Sequence, residues 1–238
     1  LPEGSIDYGN NNLDRFAKML KAGGVEPLDL RETMNEDGID HYEMMYKTDH
    51  HWTTKAGFYA YTKINNILMQ KLDCEVDQEV MDYKNYSVTT YPEWHLGSYG
   101  QRTGAAFAGI DDFDLILPTF ETSISDGSNK GKFEDIVMNR EVLTKKDLAS
   151  RYTYDSVLWK TLGDFKNNKA KNDKKILVVT DSFGRAVNPF LIMSYSELRV
   201  GNADYETIRD YKPDAVIILH YINNTMKEDI YDNCARME

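Results

Sequence analysis

Lys175-Ile176-Leu177-Val178-Val179-Thr180-Asp181-Ser182-Phe183-Gly184 decides the fold class of this chain. Its apolar, β-branched run reads as a strand buried on both faces of a parallel sheet. Ser182 follows that strand directly, and a helix or turn over Val187 to Met193 comes next. Open α/β sheets place reactive groups at the point where a buried strand turns into a helix. Downstream, Glu197 to Val200 reads as an edge strand, Ala203 to Asp210 as a helix, and Ala215 to His220 as a second continuous apolar strand. Strands alternating with helices in this way predict an α/β domain on a parallel sheet.

Working outward, Asn10 to Lys21 carries Leu13, Phe16, Ala17 and Leu20 at helical spacing, and Gly23-Gly24 ends that helix. Val25 to Leu30 reads as a short strand. Thr53 or Thr54 can cap a helix that turns Phe58, Tyr61, Ile64 or Ile67, Leu68 and Leu72 inward. Residues 73–148 change character. Tyr83 to Tyr91, Ala105 to Ile110 and Phe113 to Thr119 read as short strands punctuated by glycine, and Ser123 to Gly131 reads as a loop. This stretch is expected to be a β-rich insertion or cap within a single domain spanning 1–238. Tyr152 to Gly163 is expected to be helical, and Lys166 to Lys175 a solvated basic loop.

Composition narrows the function classes. The chain has 238 residues, 41% hydrophobic and 12% aromatic, which suits a globular fold with a sizeable core. A net charge of −11 repels nucleic acid and anionic membrane. The 16 tyrosines could line a sugar-binding cleft, although tyrosines more often pack at core edges. Cys74 and Cys234 lack metal-ligand spacing and allow one disulfide at most, or two free buried thiols. No signal peptide or bilayer-spanning run is present. The opening Leu1-Pro2-Glu3-Gly4 reads like the middle of a longer protein, so a removed leader or anchor fits.

Chemistry resides in Asp49-His50-His51-Trp52 and Ser182. A serine hydroxyl is a poor nucleophile until a base takes its proton. Neutral imidazole suits that task, and a carboxylate on its second nitrogen holds the tautomer and stabilises the imidazolium. The Ser182 N–H, at a helix start, would face developing oxyanion charge, and Arg199, Asn202 and Asn223 are candidates for a second donor. Each residue also has an inert reading. Ser182 can simply cap the next helix, and Asp49 with His51 can be a structural pair. His50 can bond to backbone or pack, Trp52 can be core or a wall of the site, and His41, His95 and His220 read as incidental. Asp181 reads as a solvated turn residue or as a support for its neighbours. A zinc held by Asp49 and the two histidines is the minor alternative. No metal or cofactor is expected.

Tyr46-Lys47-Thr48-Asp49-His50-His51-Trp52-Thr53, followed by Ala56-Gly57 and Tyr59-Ala60-Tyr61, resembles the signature of the bacterial DHHW proteins. Leu177 to Phe183, Asn188-Pro189-Phe190-Leu191 and Tyr211 to Leu219 resemble the same family's downstream blocks, and Gly97-Ser98 to Gly104 and Asp111-Asp112 match more weakly. The family is similar to the SGNH-hydrolase-like domains of the alginate O-acetyltransferase group. The resemblance implies a three-layer SGNH-hydrolase-like, flavodoxin-like parallel sheet carrying the β-rich insertion. It implies Ser182 as nucleophile, His51 as base and Asp49 as orienting acid, and an arginine beyond the serine block, which favours Arg199 as oxyanion donor. The Asp-x-His order ahead of serine departs from ordinary SGNH esterases and agrees with the alginate acetyltransferase group.

The implied activity is a serine esterase or O-acetyltransferase working on acetyl groups of an extracytoplasmic polysaccharide through an acyl-serine intermediate. The implied partners are an acetylated glycan and, for transfer, a membrane protein that exports the acetyl group. The alternative is a catalytically inactive SGNH-like domain that binds glycan or scaffolds a cell-surface assembly. Either role places the chain outside the cytoplasm, at the cell surface or anchored within a longer precursor.

Overall fold

The structure is a computed structural model that describes residue 4, residues 8–144 and residues 158–221. It divides into two units, 1–41 and 42–238. In the first, α1 (Tyr8–Ala22) presents Leu13, Phe16, Ala17 and Leu20 as half-buried positions, and α2 (Leu30–Glu36) follows a loop. The strand expected over Val25 to Leu30 does not form. Asp29 instead caps α2, accepting from the Arg31 N–H and from its guanidinium, which commits the segment to a helix start.

The second unit is built on a six-stranded sheet in the order β4-β3-β5-β7-β6-β8. Its strands are β3 (Ile124–Ser125), β4 (Lys130–Gly131), β5 (Gly163–Asn167), β6 (Lys175–Thr180), β7 (Glu197–Val200) and β8 (Ala215–Leu219). Only the β7-β6-β8 part is parallel; β5 runs antiparallel to β7, and β3 antiparallel to β5 and β4. The sheet is therefore mixed, not parallel throughout. A parallel neighbour needs a crossover of a dozen or more residues. The helical segments after β6 and β7 provide one each, whereas the short link from Asn167 to Lys175 cannot, so β5 must reverse direction.

Other expectations are also corrected. Glu197 to Val200 is an interior strand, flanked by β5 and β6. β8 lies at the edge of the described sheet, and its side chains alternate between half-buried and exposed, with Ile218 at 50% exposure. The stretch Ser123 to Gly131, read as a loop, supplies β3 and β4. Of the helix expected from Tyr152 to Gly163, residues 152–157 lie outside the described residues; Trp159 bridges to Met138, and Gly163 opens β5.

A separate antiparallel ribbon pairs β1 (Tyr86–His95) with β2 (Asp111–Pro118). At its turn sit two short helices, Ser98–Thr103 and Ala105–Ala108; the latter replaces an expected strand because Gly104 and Gly109, both at positive φ, bracket it. The centre of the unit is the helix Thr54–Leu72, which buries Phe58, Tyr61, Ile64 and Leu68 and leaves Ile67 and Leu72 half-buried. It packs on the short helix Asn188–Ser194, every residue of which is buried, with the Phe58 and Phe190 rings edge to face at 5.0 Å. Among the described residues, no helix is long and apolar enough to cross a membrane.

Candidate active site

The Asp49-His50-His51 segment is a tight loop closed by Met45 pairing with Trp52, with Tyr46 N–H donating to the His51 carbonyl at 3.1 Å. Thr53 then caps the helix Thr54–Leu72 by accepting from the Ala56 N–H, so the loop is anchored to a rigid element. Ser182 begins a 3₁₀ turn, Ser182–Ala186, directly beyond the parallel strand β6. Asp181 caps this turn through Oδ1, which accepts from Phe183 N–H at 2.9 Å, and its Oδ2 accepts from Tyr221 N–H at 2.7 Å. Asp181 is thus a support for the turn that carries Ser182 and not a solvated turn residue.

Two contacts lock the segments together. Trp52 Nε1 donates to the Phe183 carbonyl at 3.0 Å. Gly57, one turn into the helix, lies so close to the serine turn that an added Cβ would sit 2.4 Å from the Ala186 carbonyl oxygen. The result is an unbroken chain of hydrogen bonds. His51 Nδ1 lies 2.7 Å from Asp49 Oδ2, and His51 Nε2 lies 2.6 Å from Ser182 Oγ. Residues separated by 131 positions in sequence therefore meet at bonding distance.

Asp49 is buried, with 5% of its side chain exposed, and is surrounded by donors. Oδ1 accepts from the Ser98 N–H at 3.0 Å and the Ser98 hydroxyl at 2.8 Å, and lies 3.1 Å from His50 Nδ1. Oδ2 has His95 Nε2 at 3.4 Å in addition to His51. Burial pushes the carboxyl up, but His51, His95 and the two Ser98 donors outweigh it and hold the group far below the ordinary carboxylate range. Ser98 and His95 both come from the ribbon region. Thr48 ties that region down, accepting from Gly97 N–H and donating to Asp111 Oδ2 at 2.6 Å. A Cβ at Gly97 would lie 2.1 Å from that of Asp49, so only glycine lets the two backbones meet there.

His95 and Ser98 were not among the sequence candidates. The signal for Ser98 was the Gly97-Ser98 match to the family block; for His95 none is visible without the strand register that sets it opposite Asp111. Of the other candidates, Trp52 is buried and forms a wall against Phe183. Arg199 is paired in two bonds with Asp164, at 2.6 and 2.7 Å, and lies over the Tyr211 ring. Its place on β7 is opposite Leu177, several residues before Ser182 on β6. Asn202 is exposed just past β7, and Asn223 and Cys234 lie outside the described residues, while Cys74 is half-buried. Asp49, His50 and His51 offer ligand atoms within 4.8 Å of one another. Both carboxylate oxygens and both His51 nitrogens are already engaged by protein partners, so a cation there would have to break the Asp49–His51–Ser182 chain.

A DHHW protein family model matches residues 13–201. The fold is shared with Bacillus cereus PatB1, whose structure with a sulfonyl adduct gives a TM-score of 0.74 at 22% identity, covering 98% of this chain and 79% of that one. Another PatB1 structure gives 0.72 at 21% identity over 97% and 79%. A DHHW family protein from Eubacterium siraeum gives 0.59 at 16% identity, over 82% of this chain and 65% of that one. No curated protein sequence matches the chain.

Proposed function

The chain belongs to the DHHW protein family, and from that membership we propose a serine-dependent esterase or O-acetyltransferase. It handles acetyl groups of an extracytoplasmic polysaccharide through an acyl-Ser182 intermediate. The observation that carries this reading is the ordered Asp49–His51–Ser182 hydrogen-bond chain at 2.7 and 2.6 Å. With its Nδ1–H directed at Asp49, His51 presents the unprotonated Nε2 to Ser182 and can take the hydroxyl proton as Oγ attacks the acetyl carbonyl. The Ser182 N–H, at the first position of the turn, supports the oxyanion, because the neighbouring Phe183 N–H is already engaged by Asp181. His51 then returns the proton to the departing oxygen.

In the second half-reaction a sugar hydroxyl or water gives its proton to His51 and attacks the acyl carbonyl, releasing Ser182. Transfer calls for a membrane partner that supplies acetyl groups from the cytoplasm; hydrolysis calls for none. In this reading residues 73–148 are an insertion that completes the site, since the Ser98 and His95 groups around Asp49 belong to it.

Intact-mass measurement after p-nitrophenyl acetate or a sulfonyl fluoride tests the reading; the adduct seen with PatB1 makes the second probe a natural choice. One adduct on the wild type, absent from Ser182→Ala and much reduced in His51→Ala, is expected. A folded wild type that takes no adduct would instead support a glycan-binding or scaffolding domain.

A further inference from the structure

His50 is the member of the Asp49-His50-His51 segment that the reaction above does not use. Its Nδ1 is engaged at the rear by Ser98 Oγ at 3.0 Å and Asp49 Oδ1 at 3.1 Å, so Nε2 is the nitrogen that an incoming group can reach. Its ring lies 4.0 Å from that of His51, and a third of its side chain is exposed. Around it stand Tyr99, Tyr221 and Phe183, with ring centroids 6.1, 6.1 and 6.2 Å away. Tyr221 is stacked flat on Phe183, the residue after the nucleophile, at 4.7 Å and 4°. Tyr99 is 48% exposed although its backbone N–H is anchored to the Thr48 carbonyl. The Tyr221 phenol is pushed up by burial and by the nearby Tyr99.

Tyr99 leaves ring surface open to solvent beside His50. A pyranose covers such a ring with its apolar C–H face while its hydroxyls reach the flanking phenol and imidazole edges. Among the described residues the ring contacts of this wall are aromatic, and the chain carries a net charge of −11, so an uncharged sugar suits it better than a polyuronate.

Building on the acyl-Ser182 reading, we infer that Tyr99, His50 and Tyr221 form the acceptor subsite, which holds a neutral pyranose ring with one hydroxyl directed at His51. That hydroxyl passes its proton to His51 Nε2 and attacks the acetyl carbonyl; the Ser182 Oγ–acyl bond breaks, and Oγ recovers the proton from His51.

The test is the fate of acetyl-enzyme prepared with p-nitrophenyl acetate. Its deacylation is followed by intact mass in water alone and with cellopentaose, xylopentaose, chitopentaose or oligomannuronate. At least one neutral oligosaccharide is expected to accelerate deacylation saturably and to gain an acetyl group, whereas oligomannuronate does not. Tyr99→Ala should lower the sugar-to-water partition ratio roughly three- to tenfold, and Tyr99→Phe, which keeps the ring, should restore most of it. An acetyl-enzyme indifferent to every neutral sugar, or a partition ratio unmoved in Tyr99→Ala, overturns the subsite alone. A wild type that forms no acetyl-enzyme overturns the parent reading and the subsite with it.

Discussion

Two polar clusters are buried in the same unit, one neutral and one charged. Beneath the helix Thr54–Leu72, Tyr61 and Ser194 share a hydrogen bond at 2.7 Å, Asn65 donates to Ser194, and Tyr195 donates to Asn65 Oδ1 at 2.8 Å. All four side chains are essentially inaccessible, and burial pushes both phenols well above their ordinary range, so this network stays neutral. The Asp49 cluster keeps an anion among imidazoles and opens to solvent through His50. The neutral network joins two helices, and each helix begins a few residues after one of the two segments that meet, at His51 or at Ser182. Polar burial alone therefore does not mark a site; retained charge with a route to solvent does.

Substitutions can break this division of labour. The largest effect is expected from Asp49→Asn, which keeps the shape but lets His51 take the wrong tautomer. Acylation by p-nitrophenyl acetate should fall about 10⁴-fold with the fold intact by circular dichroism; a loss under about tenfold would remove Asp49 from the orienting role. Asn65→Ala should do the reverse. It leaves the Tyr195 hydroxyl without its acceptor in the core, costing about 2 kcal/mol in urea unfolding, while acylation at a temperature where the variant is folded stays within about tenfold. Ser98→Ala removes one charge-assisted bond and leaves the backbone donor, so acylation should slow roughly tenfold without a comparable loss of stability; equal losses in both would make Ser98 a purely structural partner.

A subtler difference lies in acid. The folded Asp49 carboxyl is held below its unfolded value, so its contribution is fully present above the ordinary carboxylate range, near pH ~4, and is lost as pH falls below it. Asp49→Asn should flatten part of the acid arm of the stability curve, whereas Asn65→Ala should lower that curve evenly. Parallel acid arms in all three proteins would count against the charge described around Asp49.

The same contrast explains what could be read from the sequence. Lys175 to Thr180 and the Asp49-x-His51 spacing are local signals, and they led to the α/β class and to the segments that meet. Strand direction is not local. β5 reverses because its link to β6 is too short for a crossover, a constraint that periodicity does not carry. β3 and β4 have two residues each, too few to show any period, and Ala105–Ala108 is helical because of the glycines at its ends. Ser98 and His95 reach Asp49 across 49 and 46 positions, a pairing that only the ribbon and its anchoring to Thr48 create.

The Gly57 contact sets a mechanical tolerance. The gap between its Cα and the Ala186 carbonyl is narrower than a methyl group, and the helix bearing that glycine starts just after His51 while the carbonyl belongs to the turn that Ser182 opens. A methyl placed there would collide with that oxygen, so either the helix or the Ser182–Ala186 turn would have to shift. The close approach of the two segments thus depends on a single missing carbon, several residues away from His51 and from Ser182.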